Sequence, residues 1–247
     1  MPKCLGFCSS VFPNRWSAVF PRLRCLLLLL VCATALELNA FPESVLRDPG
    51  ISTLRCGVGP VESTLSLCRF LAGQKAAAIT GVVNFGVGGV YPDCGLSVLD
   101  LCFAESETLG DLAICTGDGF IDLPDSLALV RHFVLENSLL AGAEKFCRSK
   151  GDPFHKGPFV TLCCASGSEE RGRVLQKKYG AICENMEGAA LARVCQEFGL
   201  PFLEVRSISN VVENRDLANW QLQAAADRAA AFAAEFALFL LNAHATT

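Results

Sequence analysis

Short apolar runs alternate with amphipathic stretches along most of the chain. Five of the apolar runs predict β-strands: Leu26–Ala33, Ala76–Asn84, Leu99–Ala104, Phe159–Ala165 and Phe202–Ile208. Five amphipathic stretches between or after them predict helices: Val61–Leu71, Ser126–Leu140, Ser168–Tyr179, Glu187–Phe198 and Ala224–Asn242. This alternation is typical of α/β proteins with a mostly parallel sheet.

The helix Glu187–Phe198 has the clearest predicted boundaries. Asn185 is a candidate N-cap, Gly199 lies just beyond the end, and Pro201 starts the next strand. In open α/β sheets, ligands bind at the carboxyl ends of the strands, where such a helix begins. We therefore expect the start of this helix to face a ligand.

Composition favours a folded enzyme with one domain. The 247 residues are 51% hydrophobic and 19% charged, which excludes a disordered chain. The formal net charge is −4, and no stripe of Lys and Arg is present, so nucleic acid is not an expected partner. We predict that residues 26–247 form the domain and that residues 1–25, which have no periodicity, are an extension outside it.

The first strand has an alternative interpretation as an export signal. Basic residues precede the run Leu26–Val31, and Ala33-Thr34-Ala35 follows it in the manner of a signal-peptidase site. The apolar run is short for a signal peptide, and it fits a buried parallel strand equally well. It is also too short to span a bilayer. An exported binding protein therefore remains the alternative from another class.

The sequence predicts neither a metal site nor a redox cofactor. The 14 cysteines are scattered without paired C-x2-C spacing, and the three histidines lie far apart. Free thiols, such as Cys68, Cys102, Cys163 and Cys195 inside predicted elements, suit the reducing cytoplasm. The glycines after Phe85 match a dinucleotide fingerprint poorly, because Tyr91 stands at the third glycine position.

Polar residues gather at one helix start and one strand end. Glu187 lies in the first turn of its predicted helix, where the helix dipole favours a carboxylate. The strand that follows ends in Arg206, Ser209 and Asn210. These residues could form a binding site at the sheet edge, or Glu187 could be only a capping residue with Arg206 as its surface partner.

The same residues resemble the nucleoside phosphorylase/nucleosidase superfamily. The resemblance rests on Asn185–Ala190 followed by Val205–Asn210, and it covers roughly nine tenths of the chain. Three other segments fit in the same order: Val31–Leu38, Cys56–Gly59 and Asn84–Pro92. The resemblance implies a three-layer αβα sandwich with a mixed, mostly parallel central sheet. It also implies a small-molecule nucleoside substrate and a homo-oligomer, either a dimer or a tetramer. If the first apolar run is an export signal, the alternative is an exported nucleoside-binding protein.

Within that superfamily, several segments look like those of the futalosine hydrolases. They are Val90–Leu96, Ala104–Leu112, Gly119-Phe120 and Arg206–Trp220. This resemblance implies hydrolysis of futalosine to hypoxanthine and dehypoxanthinyl futalosine in menaquinone biosynthesis.

The resemblance also implies a role for each candidate site residue. Glu37 would be the general base for water, and Asn210 would face the purine. Met186 and Glu187 would hold the ribose, with Arg206 and Ser209 beneath the sugar. Gly86 and Val87 would belong to a glycine-containing turn beside the substrate.

Two side-chain patterns define the expected chemistry. The NH2 group of Asn210 can donate to N7 and O6 of a 6-oxopurine such as hypoxanthine. Many adenine-cleaving relatives carry Asp there, so a methylthioadenosine/adenosylhomocysteine nucleosidase is the second enzyme hypothesis. Val87 stands where a hydroxyl group would help to hold phosphate, and no arginine lies near Glu37 in sequence, so water is the expected nucleophile.

Overall fold

The computed structural model describes residues 27–73, 78–116, 119–213 and 217–245. The predicted extension, residues 1–25, lies outside the described residues. The strands are β1 Leu27–Cys32, β2 Ile51–Arg55, β3 Ile79–Val90, β4 Leu101–Leu109, β5 Ile114–Thr116, β6 Gly119–Ile121, β7 His132–Val134, β8 His155–Thr161, β9 Cys183–Asn185 and β10 Phe202–Val211. The helices are α1 Ala35–Asn39, α2 Glu43–Leu46, α3 Pro60–Ala72, α4 Ser138–Lys150, α5 Glu169–Tyr179, α6 Gly188–Phe198 and α7 Leu222–Ala245.

Within these ranges the strands form one mixed sheet of eight strands and a separate hairpin of β5 and β6. Five strand pairs are parallel and three are antiparallel, which confirms the predicted mixed, mostly parallel sheet. Strands β3, β10, β4, β8 and β9 pair in a closed ring, because the long β3 contacts β10 along one side and β9 near its end. The sequence pattern does not predict this closure.

The first strand buries alternate side chains on both faces of the sheet. Leu28 and Leu30 pack in one hydrophobic cluster with residues of α4 and α7. Leu29 and Val31 pack in a second cluster with residues of α3 and α6. A strand covered on both faces explains the continuous apolar run in the sequence. The interpretation of this segment as a buried strand is therefore confirmed.

Several predicted strands are displaced along the chain. The segment predicted as Ala76–Asn84 continues as β3 to Val90, so Gly86–Gly89 lie within a strand and not in a turn after it. The strand predicted at Leu99–Ala104 begins later, because Leu99 has a positive φ of 72°. The strand predicted at Phe159–Ala165 ends at Thr161, which places Cys163 in an exposed loop. Strands β2, β5, β6, β7 and β9 were not predicted.

The predicted helix Ser126–Leu140 is wrong. That segment contains a short 3-10 turn and the strand β7, and α4 begins only at Ser138. The side chain of Asn137 accepts hydrogen bonds from the N–H groups of Leu139 and Leu140 and donates to the carbonyl of Phe202. Pairing of β7 with β4 and this cap override the local helical pattern.

The other four predicted helices are confirmed to within a few residues by α3, α5, α6 and α7, whereas α1 and α2 were not predicted. Helix α6 begins at Gly188 with Glu187 as its N-cap residue, so the predicted N-cap Asn185 is wrong by two residues. Oδ1 of Asn185 still accepts from the N–H groups of Glu187 and Gly188. The turn Cys56–Gly59 precedes α3, with positive φ at Gly57 and Gly59. None of the helices in the described ranges has the length and apolar character of a membrane span.

Candidate active site

A cavity of about 180 Å³ lies at the carboxyl ends of β1, β3 and β10. These strands run parallel, so the residues that follow or end them meet at one edge of the sheet. Seven of the predicted site residues line the cavity: Glu37, Val87, Met186, Glu187, Arg206, Ser209 and Asn210. The eighth, Gly86, is not a lining residue, but it lies directly against two of them.

Glu37 is positioned by the turn between β1 and α1. Thr34 and Glu37 form a capping box, in which the Thr34 hydroxyl accepts from the Glu37 N–H and the Glu37 carboxylate accepts from the Thr34 N–H. Oε2 of Glu37 also accepts from the Ala33 N–H and the Thr34 hydroxyl. Among the described residues, Oε1 accepts only from the Val87 N–H, at 3.1 Å. This buried oxygen keeps the capacity to accept a further proton donor.

Gly86 provides space between two charged groups. A β-carbon at this position would lie 2.3 Å from Oε1 of Glu37 and 2.9 Å from Nη1 of Arg206. Both distances are too short for real contacts, so a side chain here would displace the carboxylate or the guanidinium. Gly86 therefore supports the site through its missing side chain.

Glu187 and Arg206 form a buried ion pair. Nη2 of Arg206 lies 3.3 Å from Oε2 of Glu187, and Oε1 of Glu187 accepts from the Gly59 N–H at 3.0 Å. Burial raises the pKa of Glu187, and Arg206 limits the rise. The Glu187 side chain makes no capping hydrogen bond to α6, and Arg206 is 2% exposed. The alternative of a simple cap with a surface partner is therefore wrong.

A second pair of acids, Glu204 and Glu107, lies beneath this ion pair and was missed in the sequence. Oε1 of Glu204 accepts from Nε and Nη2 of Arg206, at 2.9 Å and 2.8 Å. Burial opposes the positive charge of Arg206, but Glu204 and Glu187 outweigh this effect and raise the Arg206 pKa. Both Glu204 and Glu107 are completely buried, and burial, followed by the nearby Glu204, raises the pKa of Glu107 well above its usual value.

The buried acids also reach the start of α6. Glu107 accepts hydrogen bonds from the Thr161 hydroxyl and from the Asn185 side-chain amide. A β-carbon on Gly188 would lie 2.1 Å from Glu204 and 2.2 Å from Glu107. One network therefore holds Glu187 through Arg206 on one side and through Asn185 on the other. In the sequence, the packing of Gly188 against Glu204 and Glu107 is indicated only by the glycine of the Asn-Met-Glu-Gly motif.

Asn210 is the second-last residue of β10, and it lines the cavity. Oγ of Ser209 lies 2.8 Å from Oδ1 of Asn210 and 3.2 Å from the Gly88 carbonyl oxygen. Nδ2 of Asn210 lies 3.2 Å from the Val211 carbonyl oxygen. Contact with Ser209 leaves the NH2 group as the end of the amide that can face a ligand. Ser209 thus lies beside Asn210 and supports its orientation.

The remaining cavity walls are formed by both apolar and polar side chains. Met186 and Trp220 provide apolar surface, while Ser166 and Glu184 add polar groups that the sequence prediction missed. The described residues contain no group of three or more potential metal-ligating side chains. The cysteines of the described residues are free thiols.

Comparison with known proteins defines the class. The sequence profile of the phosphorylase superfamily matches residues 46–241, and the chain belongs to this superfamily. The chain is similar to futalosine hydrolases from Thermus thermophilus, with 30% identity over 73% of this chain and 78% of the relative, and from Streptomyces coelicolor, with 30% identity over 79% and 88%. Relatives that are 25% to 30% identical include methylthioadenosine/adenosylhomocysteine nucleosidases and aminodeoxyfutalosine nucleosidases.

A solved structure shares the fold. Futalosine hydrolase of Helicobacter pylori superposes with a TM-score of 0.75 at 22% identity, covering 87% of this chain and 98% of that protein. Glu37 precedes residue 46, where the superfamily profile begins to match, so its place in the site rests on the geometry described above.

Proposed function

We propose that this protein uses water to cleave the N-glycosidic bond of futalosine, releasing hypoxanthine and dehypoxanthinyl futalosine in menaquinone biosynthesis. The two futalosine hydrolases among its relatives support this substrate. One observation carries the proposal: Glu37, Glu187 and Asn210 surround a single cavity. The reaction needs a group that activates water, a group that holds the sugar and a group that stabilises the departing base. Glu37, Glu187 and Asn210 would fill these roles in that order.

Glu37 would act on the attacking water. Cleavage of an N-glycosidic bond passes through an oxocarbenium-like state, and a positioned general base makes water a better nucleophile. Oε2 of Glu37 is held by three donors, whereas Oε1 accepts only from Val87 within the part of the chain that the structure describes. Oε1 is therefore the oxygen that would take the proton from water.

Glu187 would hold the ribose. Its carboxylate can accept hydrogen bonds from two sugar hydroxyl groups while Arg206 and the Gly59 N–H fix its position. The negative charge also favours the positive charge that develops on the sugar. Met186, next in the cavity wall, would cover the apolar face of the sugar ring.

Asn210 would stabilise the departing base. Electrons of the broken bond move onto the purine. One hydrogen of the Asn210 NH2 group donates to the Val211 carbonyl oxygen, and the other can donate toward N7 and O6 of hypoxanthine. An amide cannot supply a proton at neutral pH. Asn210 therefore acts by hydrogen bonding, and N7 would take its proton from solvent.

The surroundings of Arg206 favour water over phosphate as the nucleophile. Its guanidinium already donates to Glu204, Glu187 and the Val87 carbonyl oxygen. It is thus occupied and does not offer a free cationic site to phosphate. Val87 adds no hydroxyl group to the cavity.

A methylthioadenosine/adenosylhomocysteine nucleosidase is the second candidate, because relatives with these names match the chain. One assay separates the candidates: base release from futalosine, inosine and methylthioadenosine, with and without phosphate. We expect release from futalosine to be fastest and independent of phosphate. Preferred release from methylthioadenosine would favour the second candidate.

The export alternative conflicts with the position of β1. Cleavage after Ala35 would remove this buried strand, which pairs with both β2 and β3. We therefore propose residues 26–247 as one cytoplasmic domain, and the buried thiols support a reducing compartment.

The fold also supports two proposals about architecture. Core clusters with helices on both faces of the sheet support the three-layer αβα arrangement. Exposed apolar side chains near the β5–β6 hairpin and β7 support a homo-oligomer, because such surface is typical of subunit contacts: Ile114, Ile121, Val130 and Val134.

A further inference from the structure

Two buried carboxyl groups face each other behind the wall of the active-site cavity. Glu107 on β4 and Glu204 on β10 are completely buried, and neither lines the cavity. A β-carbon on Gly188 would lie 2.1 Å from Oε2 of Glu204 and 2.2 Å from Oε1 of Glu107, so these two oxygens lie close to each other. Two carboxylates that share a buried site repel each other, which favours the binding of one proton by the pair.

The hydrogen bonds of Glu204 leave one of its oxygens without a donor. Oε1 accepts from Nε and Nη2 of Arg206 and, at 3.3 Å, from the side-chain amide of Asn84. No donor anywhere in the residues that the structure describes reaches the buried Oε2 while both acids are ionised. An unsatisfied carboxylate oxygen in the interior is costly. A proton on Oε1 of Glu107 would supply the missing donor.

The surroundings of Glu107 allow it to carry this proton. Its Oε1 accepts from the side-chain amide of Asn185, and its Oε2 accepts from the Thr161 hydroxyl at 2.8 Å. A protonated carboxyl group can keep both of these bonds while its O–H donates to Glu204. Burial, then the charge of Glu204 and a hydrogen bond with it, raise the pKa of Glu107 well above its usual value. The negative charge stays on Glu204, which the guanidinium of Arg206 contacts directly.

Three other ionisable groups lie near the pair. Burial raises the pKa of the Cys183 thiol, which therefore adds no charge. The remaining two are Arg206 and Glu187, and Nη2 of Arg206 donates to both Glu187 and Glu204. With one proton between Glu107 and Glu204, the guanidinium has one negative charge on either side. Loss of the charge on the pair would turn the guanidinium toward Glu187.

We propose that Glu107 and Glu204 share one proton and that the singly charged pair positions Arg206 against Glu187. Both acids are thus positioning residues that act through Arg206 on the carboxylate facing the cavity. This proposal rests on the proposed function only for the role of Glu187, which would hold the ribose.

Infrared spectroscopy of the free enzyme at neutral pH tests for the shared proton, because a protonated carboxyl group has a carbonyl band that carboxylates lack. In Glu204→Gln, the amide oxygen can replace Oε1 and the NH2 group can replace Oε2 and donate to an ionised Glu107. We expect this variant to lose a band that wild type shows. The control Glu105→Gln changes a partly buried acid on β4 and should keep the band.

The same band should be absent from Glu107→Gln, which provides a second test if Glu204→Gln does not fold. A wild-type spectrum without a protonated carboxyl band would overturn the proposal. Retention of the full band in both glutamine variants would overturn it as well.

The positioning role is tested by steady-state kinetics on the nucleoside that wild type cleaves. Glu204→Gln keeps one negative charge on the pair, carried by Glu107, whereas the double variant Glu107→Gln/Glu204→Gln removes it. We expect the double variant to have a KM about tenfold or more above that of Glu204→Gln, with a much smaller change in kcat, because Arg206 would then compete with the ribose for Glu187. Equal KM values in the two variants would contradict the positioning role. The infrared comparison needs no substrate, so it decides whether the proton is shared even if futalosine is not cleaved.

Discussion

Glu37 serves both the fold and the proposed reaction, and a single substitution can separate the two. Glutamine also forms capping boxes, so Glu37→Gln should keep the start of α1. It cannot take a proton from water. We expect the variant to fold with a loss of about 1–3 kcal/mol in stability, because the amide NH2 group must face a donor such as the Val87 N–H. Turnover should be about a hundredfold lower or more, as for loss of a general base. Steady-state kinetics beside a melting curve measure both. Wild-type turnover in this variant would remove Glu37 from the mechanism.

Gly86 should be intolerant of even one methyl group. In Gly86→Ala, the new β-carbon would collide with Oε1 of Glu37 and Nη1 of Arg206, both of which are held by other hydrogen bonds. We expect a loss of about 1–3 kcal/mol in stability from overpacking and a loss of about tenfold or more in kcat/KM. The control is Gly142→Ala on α4, where the nearest atom would be 3.6 Å away. Similar activity of both variants would contradict the role of Gly86.

Among individual site residues, the sequence identifies those that stand in a recognisable motif. It misses those that contact the motif residues from other strands. Glu187, Arg206 and Asn210 stand in recognisable order near the end of the chain. Glu107 and Glu184 become neighbours of the site only through strand pairing. A buried glutamate has no local pattern that distinguishes it from a surface glutamate, so the fold is needed to find it.

Strand β4 carries an acid whose proton should make folding stability depend on pH. The folded-state pKa of Glu107 is raised, chiefly by burial and then by Glu204. A raised pKa contributes stability below the usual glutamate pKa of about 4.3, and this contribution is lost as pH rises toward the folded-state value. The wild-type free energy of unfolding should therefore fall by up to about 1.4 kcal/mol per pH unit in this window relative to Glu107→Gln.

Chemical denaturation across the pH range measures this slope. Glu105→Gln, on the same strand and only partly buried, is the matched control and should retain the wild-type pH dependence. Parallel pH curves for wild type and Glu107→Gln would mean that Glu107 does not hold its proton in the folded state.

The elements themselves differ in how well the sequence predicts them. Helix α6 and strand β10 are bounded by a local cap, a glycine and a proline, so their predictions agree closely with the structure. The three-residue strands β7 and β9 depend on partners distant in sequence. Local periodicity cannot reveal such strands, which is why the helix predicted over Ser126–Leu140 is wrong.

For the molecule as a whole, β1 sets the limit of tolerable truncation. It lies between β2 and β3, and its residues from Leu28 to Cys32 are completely buried. We expect deletion of residues 2–22 to preserve soluble expression and turnover, whereas deletion of residues 2–35 should abolish both. Expression yield and base release measure the outcome. Loss of soluble protein after the shorter deletion would contradict the proposed domain boundary.

The central claim is that this site cleaves a hypoxanthine nucleoside with the help of Asn210, and one comparison of kcat/KM tests it. Futalosine and its adenine counterpart aminodeoxyfutalosine would be assayed with wild type and Asn210→Asp. Mismatched donors in a dry pocket cost about 1–3 kcal/mol, so wild type should prefer futalosine by about tenfold to a hundredfold. Asn210→Asp should reduce that preference. A wild-type preference for the adenine nucleoside, or an unchanged ratio in the variant, would contradict the account.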